Sequence, residues 1–317
     1  TEAKMADSEV KYKNLGSVVI MTAGILWGAM GIFVKRLTLA GFTPVEVSAM
    51  RYIFSAFIIL TAVFLLDRKS LIIEKKDIWK FASVGLIGLF AASTFLCLGI
   101  SLSSIAVADV LMYTAPIWVQ IASVILFNEK LNAVKILCIA LTFSGCALVS
   151  GIRSLSNLNT NVLGILFGLL SGICYASYSI AGTFILRKYS GTTLTAYATI
   201  FAGLGAPFTV NVKSIANKIA ADYVSLLYVF VIAIFCTVVP YFLYSVGLKS
   251  TNASKAAVLS CMEPVTAALV SVIIAKETLS LFQMTGIACV LSAIILLKLG
   301  FKKKGNNYVQ NSCNRCS

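Results

Sequence analysis

The chain contains no histidine. That removes the usual base of a Ser–His or Cys–His nucleophile pair and the commonest metal ligand. Acidic residues are nearly as scarce: 12 among 317 positions, of which only Asp109 and Glu263 fall well inside long apolar runs. An intramembrane aspartyl protease needs two facing aspartates and a metalloenzyme needs a cluster of ligands, and neither can be assembled. The sequence therefore points away from an enzyme and implies no cofactor and no metal. Charged residues make up 12% of the chain, about half the share in soluble domains. Nine cysteines are scattered, mostly inside apolar runs, where they serve as small hydrophobes. Cys313 and Cys316 form a lone CxxC without the second pair a zinc site needs.

What is abundant is hydrophobic sequence, 59% of all residues. Ten predominantly apolar stretches of helix-spanning length recur, at roughly 16–38, 44–66, 78–100, 103–127, 134–152, 161–186, 190–212, 222–247, 252–275 and 279–298. Their lengths suit helices and not the alternating strands of an outer-membrane barrel. The first run is too long for a signal-peptide core and reads as an uncleaved anchor. The net charge of +14 does not mark a nucleic-acid binder, because the basic residues sort by side. With the N-terminus inside, nineteen Lys and Arg fall in inner segments and six in outer ones, with Arg51 inside a span. That positive-inside bias puts both termini in the cytoplasm of an inner (plasma) membrane, with the lipid bilayer as first partner.

The chain is also written twice, at an offset of 148 residues. Gly16 and Gly24 recur as Gly164 and Gly172, Gly99 as Gly247, Pro116 as Pro264, Glu129 as Glu277, and Leu131 as Leu279. Between Gly99 and Leu131, 10 of 33 positions are identical to their partners without a gap. A repeat with an odd number of spans inserts its second copy upside down, as in many secondary transporters. The expected fold is all-α, ten transmembrane helices in two inverted five-helix repeats. Residues 1–14 form an N-terminal segment, 15–152 the first repeat, 153–161 a linker, 162–300 the second repeat and 301–317 a basic tail.

The candidate binding residues are the polar and aromatic ones at membrane depth. Glu263, before Pro264 and about eleven residues from either end of its span, is the deepest charge; it must be neutral, paired or functional. Its repeat partner is Ala115, so the two halves differ there. Arg51, seven residues into its span, either snorkels to the outer surface or turns inward toward a carboxylate or Glu263. Asp109, Tyr113, Pro116 and Gln120 share one helical face, and Asp109 is a candidate proton or ammonium site. Pro116 and Pro264 each free a carbonyl one turn back. Trp27 and Tyr175 are repeat partners at matching depth, and Tyr178, Tyr197, Tyr241 and Tyr244 add aromatic wall. Gly24, Gly28 and Gly31, with Gly164, Gly168 and Gly172, predict close helix packing. Glu129 and Glu277 sit at helix ends and read as structural.

These residues resemble a known family. Trp27-Gly28 with Lys35, Pro44 with Arg51-Tyr52, and Gly99, Pro116 and Asn128-Glu129-Lys130-Leu131 are similar to the pattern of EamA-type domains. Gly247, Glu263-Pro264 and Lys276-Glu277-Thr278-Leu279 repeat it. Over residues 15–300 the chain resembles a ten-helix member of the drug/metabolite transporter superfamily. The resemblance implies a central cavity between the halves, alternately open to each side and lined largely by spans one, three, four, six, eight and nine. Many such proteins export amino acids or other small metabolites. Thr192 and Thr199 replace Pro44 and Arg51 in the second half, so a cationic role for Arg51 is not duplicated. The expectation is an alternating-access exporter of a small organic solute, best an amino acid or similar zwitterion, with protons as the candidate coupling ion. Efflux of lipophilic cations is the alternative within the class, and a non-transporting scaffold or receptor the alternative outside it. Substrate, coupling and oligomeric state are left open.

Overall fold

The computed structural model describes residues 2–150, 161–276 and 278–313, with side chains over 15–150, 161–274, 276 and 278–297. The linker residues 153–160, Glu277 and the side chains of the basic tail, including its CxxC pair, lie outside the described residues. Among those described, every regular element is a helix. Seven helices are long and apolar enough to cross a membrane: α1 (Leu15–Leu39), α2 (Pro44–Leu66), α3 (Lys75–Leu102), α4 (Ile105–Phe127), α6 (Val162–Leu186), α9 (Val224–Ser250) and α10 (Ala253–Ile274). The other three expected spans are helices that fall short of that length. α5 (Ala133–Val149) and the apolar part, Leu281–Leu297, of α11 (Leu281–Cys313) are shorter, and α7 (Gly191–Thr209) meets α8 (Val212–Ala221) at a 93° bend. Pro207 lies in the tighter turn Ala206–Thr209 that closes α7, and Asn211 caps α8 through the Ser214 amide.

The 148-residue offset reappears as matched backbone irregularities. The π-helical turns Val84–Ala91 in α3 and Ile234–Val238 in α9 fall at corresponding depth. α4 breaks at Tyr113 and Thr114, and α10 breaks at Cys261, the partner of Tyr113. Each break lies just before a proline, Pro116 or Pro264, which cannot donate back to the preceding turn. α4 ends on Asn128 and α10 on Lys276, with φ of 52° and 54°, the left-handed turn that closes many helices.

Packing crosses the halves. α1 lies against α9 and α10, while α6 lies against α3 and α4. Glycines permit both contacts. A Cβ on Gly24 would sit 2.8 Å from the Ser260 carbonyl oxygen; one on Gly172 would sit 3.1 Å from that of Met112, the repeat partner of Ser260. These are the two carbonyls that Pro264 and Pro116 deprive of their helical partner. The prolines thus free carbonyls that the glycine faces of the opposite repeat cover. Gly28 stands closer to α10 than Gly24 does, over the Glu263 carbonyl and 2.6 Å from Thr266 Cβ, whereas Gly31 faces nothing within 4 Å and takes no part.

Ion pairs tie the halves at both ends. At the end holding the 128–132 turn, Lys188 Nζ and Tyr189 Oη donate to Asp77 Oδ2 at 2.7 and 2.8 Å, and Ser254 Oγ donates to Glu129 Oε2 at 2.9 Å. At the opposite end, Lys218 Nζ bonds both oxygens of Glu46, at 2.9 and 2.7 Å, and Arg36 meets Asp222 at 3.1 Å. Glu46 is held in place by a capping box with Thr43.

Candidate functional site

The breaks in α4 and α10 leave a small enclosed cavity between them. Met112 and Ser260, Tyr113 and Cys261, and Ala115 and Glu263 all line it, three pairs related by the 148-residue offset. The cavity therefore straddles the axis relating the two repeats. Pro116, Val119, Ala257 and, from α6, Tyr175 and Ser179 complete its wall. About 10 Å³ is open within it, room for about one water molecule, so the cavity as it stands is closed to an organic solute.

Glu263 is the only acid in this wall, and its carboxylate makes no hydrogen bond or ion pair among the described residues. Asp109, half-buried on α4, likewise has no side-chain partner there. The two carboxylates lie within electrostatic reach of each other, and Glu263 also senses Arg51. The Tyr113 and Tyr175 hydroxyls face the Glu263 charge as well and make no hydrogen bond among the described residues.

Arg51 turns inward. It is 8% exposed, which rules out snorkelling, and it forms no ion pair with Glu263. Its guanidinium donates to Tyr52 Oη at 2.8 Å, to Ser93 Oγ at 2.9 Å and to Met30 Sδ at 3.0 Å, and lies 4.5 Å from the Tyr52 ring centroid. Nε has no partner. All of its acceptors are neutral, so a full positive charge sits buried without a described counter-ion, an expensive arrangement unless an anion visits. Tyr52 Oη also bonds Ser93 Oγ at 2.8 Å, which fixes the guanidinium's neighbours.

Between these charges stands an aromatic cluster. Trp27 meets Tyr241 at 5.0 Å, Tyr244 at 5.7 Å and Tyr175 at 6.3 Å between ring centroids, and Tyr178 meets Tyr241 and Tyr244 in tilted contacts at 5.3 and 6.0 Å. Tyr244 Oη bonds Ser179 Oγ and Tyr178 Oη bonds Ser245 Oγ, at 2.7 and 2.9 Å. Trp27 and Tyr175 touch edge to face, so the closed state leaves no slot between them. A solute held there would need the halves to part.

Of the residues expected from sequence, Tyr113, Pro116, Tyr175 and Glu263 line the cavity and Trp27, Tyr178, Tyr241 and Tyr244 back it. Arg51 and Asp109 are not in its wall. Pro264 is buried beside the cavity and not in its wall. Gln120 leaves the group: the break at Tyr113 and Thr114 interrupts the helical face, so Gln120 lines a second cavity further along α4. Tyr197 is also elsewhere, donating to the Leu71 carbonyl at 2.7 Å. Sequence reasoning missed Ser260 and Cys261, which the offset applied to Met112 and Tyr113 would have found, and Ser93, for which there was no signal. Among the described residues no three of His, Cys, Asp and Glu gather as a metal site.

Comparison with known proteins gives the same picture over the whole chain. The chain is 25% identical to an uncharacterized transporter of Archaeoglobus fulgidus, over 88% of its own length and 97% of that protein. It is 22% identical to the uncharacterized transporter YetK of Bacillus subtilis (95% of this chain, 92% of that one). It is 21% identical to the uncharacterized inner membrane transporter YicL of Salmonella typhimurium (91% and 97%). One crystal structure superposes with a TM-score of 0.72 at 16% identity, covering 91% of this chain and 98% of the other, which shows a shared fold. The sequence profile of one family matches twice, over residues 14–151 and again over 162–299. This multi-pass membrane protein, with its two copies packed across one another around a closed cavity, belongs to the EamA-like transporter family.

Proposed function

We propose that the chain is an alternating-access exporter of small organic metabolites in a plasma membrane, with both termini cytoplasmic, ten spans and two inverted repeats. The observation that carries this reading is the Glu263 carboxylate, left without a hydrogen bond at a cavity on the repeat axis. A scaffold has no use for such a group, since an unpaired acid at that depth costs stability and contributes nothing. The preferred solute is an amino acid or related zwitterion. Glu263 and Asp109 offer negative charge to an ammonium, Arg51 offers a carboxylate its unpartnered Nε–H, and the aromatic cluster covers the side chain. Protonation of Glu263 or Asp109 would let the proton gradient drive export.

A thermal-shift screen of the detergent-purified protein tests this. A ligand at 100 times its Kd adds about 2.7 kcal/mol of stability. An amino acid that stabilises the wild type but neither Arg51→Ala nor Glu263→Gln supports the reading. Stabilisation by a lipophilic cation that ignores Arg51→Ala and is lost in Glu263→Gln would replace it with drug efflux, a reading the aromatic wall around a lone acid favours.

A further inference from the structure

Along the same α4–α10 seam, toward the end that holds the 128–132 turn, lies a second small cavity, also about 10 Å³. Gln120 of α4, Glu129, Lys135 of α5, and Asn252, Ser254 and Lys255 at the start of α10 supply its polar wall. Gln120 lies one residue beyond Val119, and Val258 one residue beyond Ala257, so this cavity adjoins the Glu263 cavity along both helices.

Three observations give it a preference for negative charge. Gln120 is 5% exposed and its Nε2 has no hydrogen-bond partner. A buried amide donor left unpaired costs about 1–3 kcal/mol, so the site is short of an acceptor. α10 also starts uncapped: Asn252 occupies the N-cap position but makes no side-chain cap bond. Its repeat partner Ser104 accepts from the Val107 amide and does cap its helix. The amides of Ala253 and Ser254 consequently have no partner among the described residues and present the positive end of the helix dipole. Lys135 and Lys255 bring two ammonium groups. Glu129 is the opposing acid, and its Oε2 is already held by Lys135 Nζ at 2.7 Å and Ser254 Oγ at 2.9 Å.

We propose that this second cavity is a receiving site for the carboxylate of a solute on its way to the Glu263 cavity. Gln120 Nε2, the uncapped α10 amides and Lys135 are its ligands. The role rests on the transport reading, but the anion preference does not. A carboxylate needs more room than the closed seam gives, and the parting of α4 and α10 that opens the first cavity would widen the second. The handover has an electrostatic order. A zwitterion is first held by its carboxylate among lysines, which leaves its ammonium leading toward Glu263.

Acetate is the probe, titrated into the full-length protein in detergent at fixed ionic strength, with methylammonium as control and melting temperature as readout. Acetate is expected to give a saturable rise that methylammonium does not. Gln120→Leu, which removes the unpaired amide and should fold at least as well, is expected to weaken acetate tenfold or more. Gln120→Glu, of the same shape but like charge, is expected to abolish the rise. Glu263→Gln, in the neighbouring cavity, is expected to retain it. Equal acetate midpoints in wild type and Gln120→Leu would overturn the site, as would a response lost in Arg51→Ala but kept in Gln120→Leu. Acetate binding without solute transport in vesicles would sink the transport reading and leave the anion site. Transport without acetate binding would sink the anion site alone.

Discussion

Arg51 is the residue whose environment says most. Its charge is buried among neutral acceptors, and the network that orients it passes through one hydroxyl, Tyr52 Oη, which meets both the guanidinium and Ser93. Tyr52→Phe keeps the ring beneath the guanidinium while removing that acceptor. A hydrogen bond to a charged group is worth about 1.5–3 kcal/mol, so the substitution should weaken binding of a carboxylate-bearing solute at least tenfold. It should leave binding of a plain amine unchanged, because Glu263 is untouched. Ligand titration of the two solute classes on wild type and variant reads this directly; equal losses for both would make Tyr52 merely structural. In sequence, Arg51 was visible as a charge out of place, but its direction was not. Helical periodicity could not decide between the outer surface and the interior, because the deciding groups, Ser93 and Met30, come from other helices.

Helix pairs are the next scale, and here the glycines separate into working and idle positions. At Gly28 a Cβ would press on the backbone of Glu263 and Ala267, atoms that cannot move without shifting α10. Gly28→Ala should lower stability by about 1–3 kcal/mol, the usual cost of overpacking. Gly31→Ala, with nothing within 4 Å, should be neutral or slightly stabilising, since alanine favours a helix over glycine. Melting temperatures of the two variants in one detergent make the comparison; equal losses would mean that α1 does not pack on α10 as described. The glycine spacing was legible in the sequence, and so was the pairing of Pro116 with Pro264. That the freed carbonyls lie under glycines of the other repeat was not. Such a fact belongs to two segments more than 200 residues apart in one case and about 60 in the other. The break in α4 likewise moved Gln120 out of the face that an unbroken 3.6-residue period assigned to it.

For the whole molecule, ion pairs join the two halves at both ends, and on the proposed alternating-access reading they are the latches of a closed state. Glu46 with Lys218 is the better sheltered of the pairs at the end away from the 128–132 turn, with side chains 11% and 30% exposed. Lys218→Met should favour opening on that side by up to about 1 kcal/mol, roughly fivefold in population. Thiol labelling of a single cysteine placed at Phe33 should speed up correspondingly, and an unchanged rate would mean the pair is not a latch. Acidification should leave the neighbouring Arg36–Asp222 pair intact until well below neutrality. Ser225 and then Arg36 hold the Asp222 carboxyl below its ordinary range, so what the pair contributes persists above that range and fades only as pH falls through the lowered value. The repeat itself, the helical class and the family pattern could all be read from spacing and composition. The 93° turn between α7 and α8 was missed although Pro207 and Asn211 stand at it, because residues 190–212 carry no charge and read as one span.

The exchange of first helices between the repeats bears on how the chain is made. α1 leaves the ribosome well before α9 and α10, the helices that its glycine face fits. Until they arrive, α1 must wait in lipid with its small-residue stripe uncovered. α6, by contrast, finds α3 and α4 already in place. Assembly therefore proceeds from the middle outward, and α1 is the last strut to be seated. A chain cut anywhere between the repeats would yield two fragments, each missing the helix that the other carries.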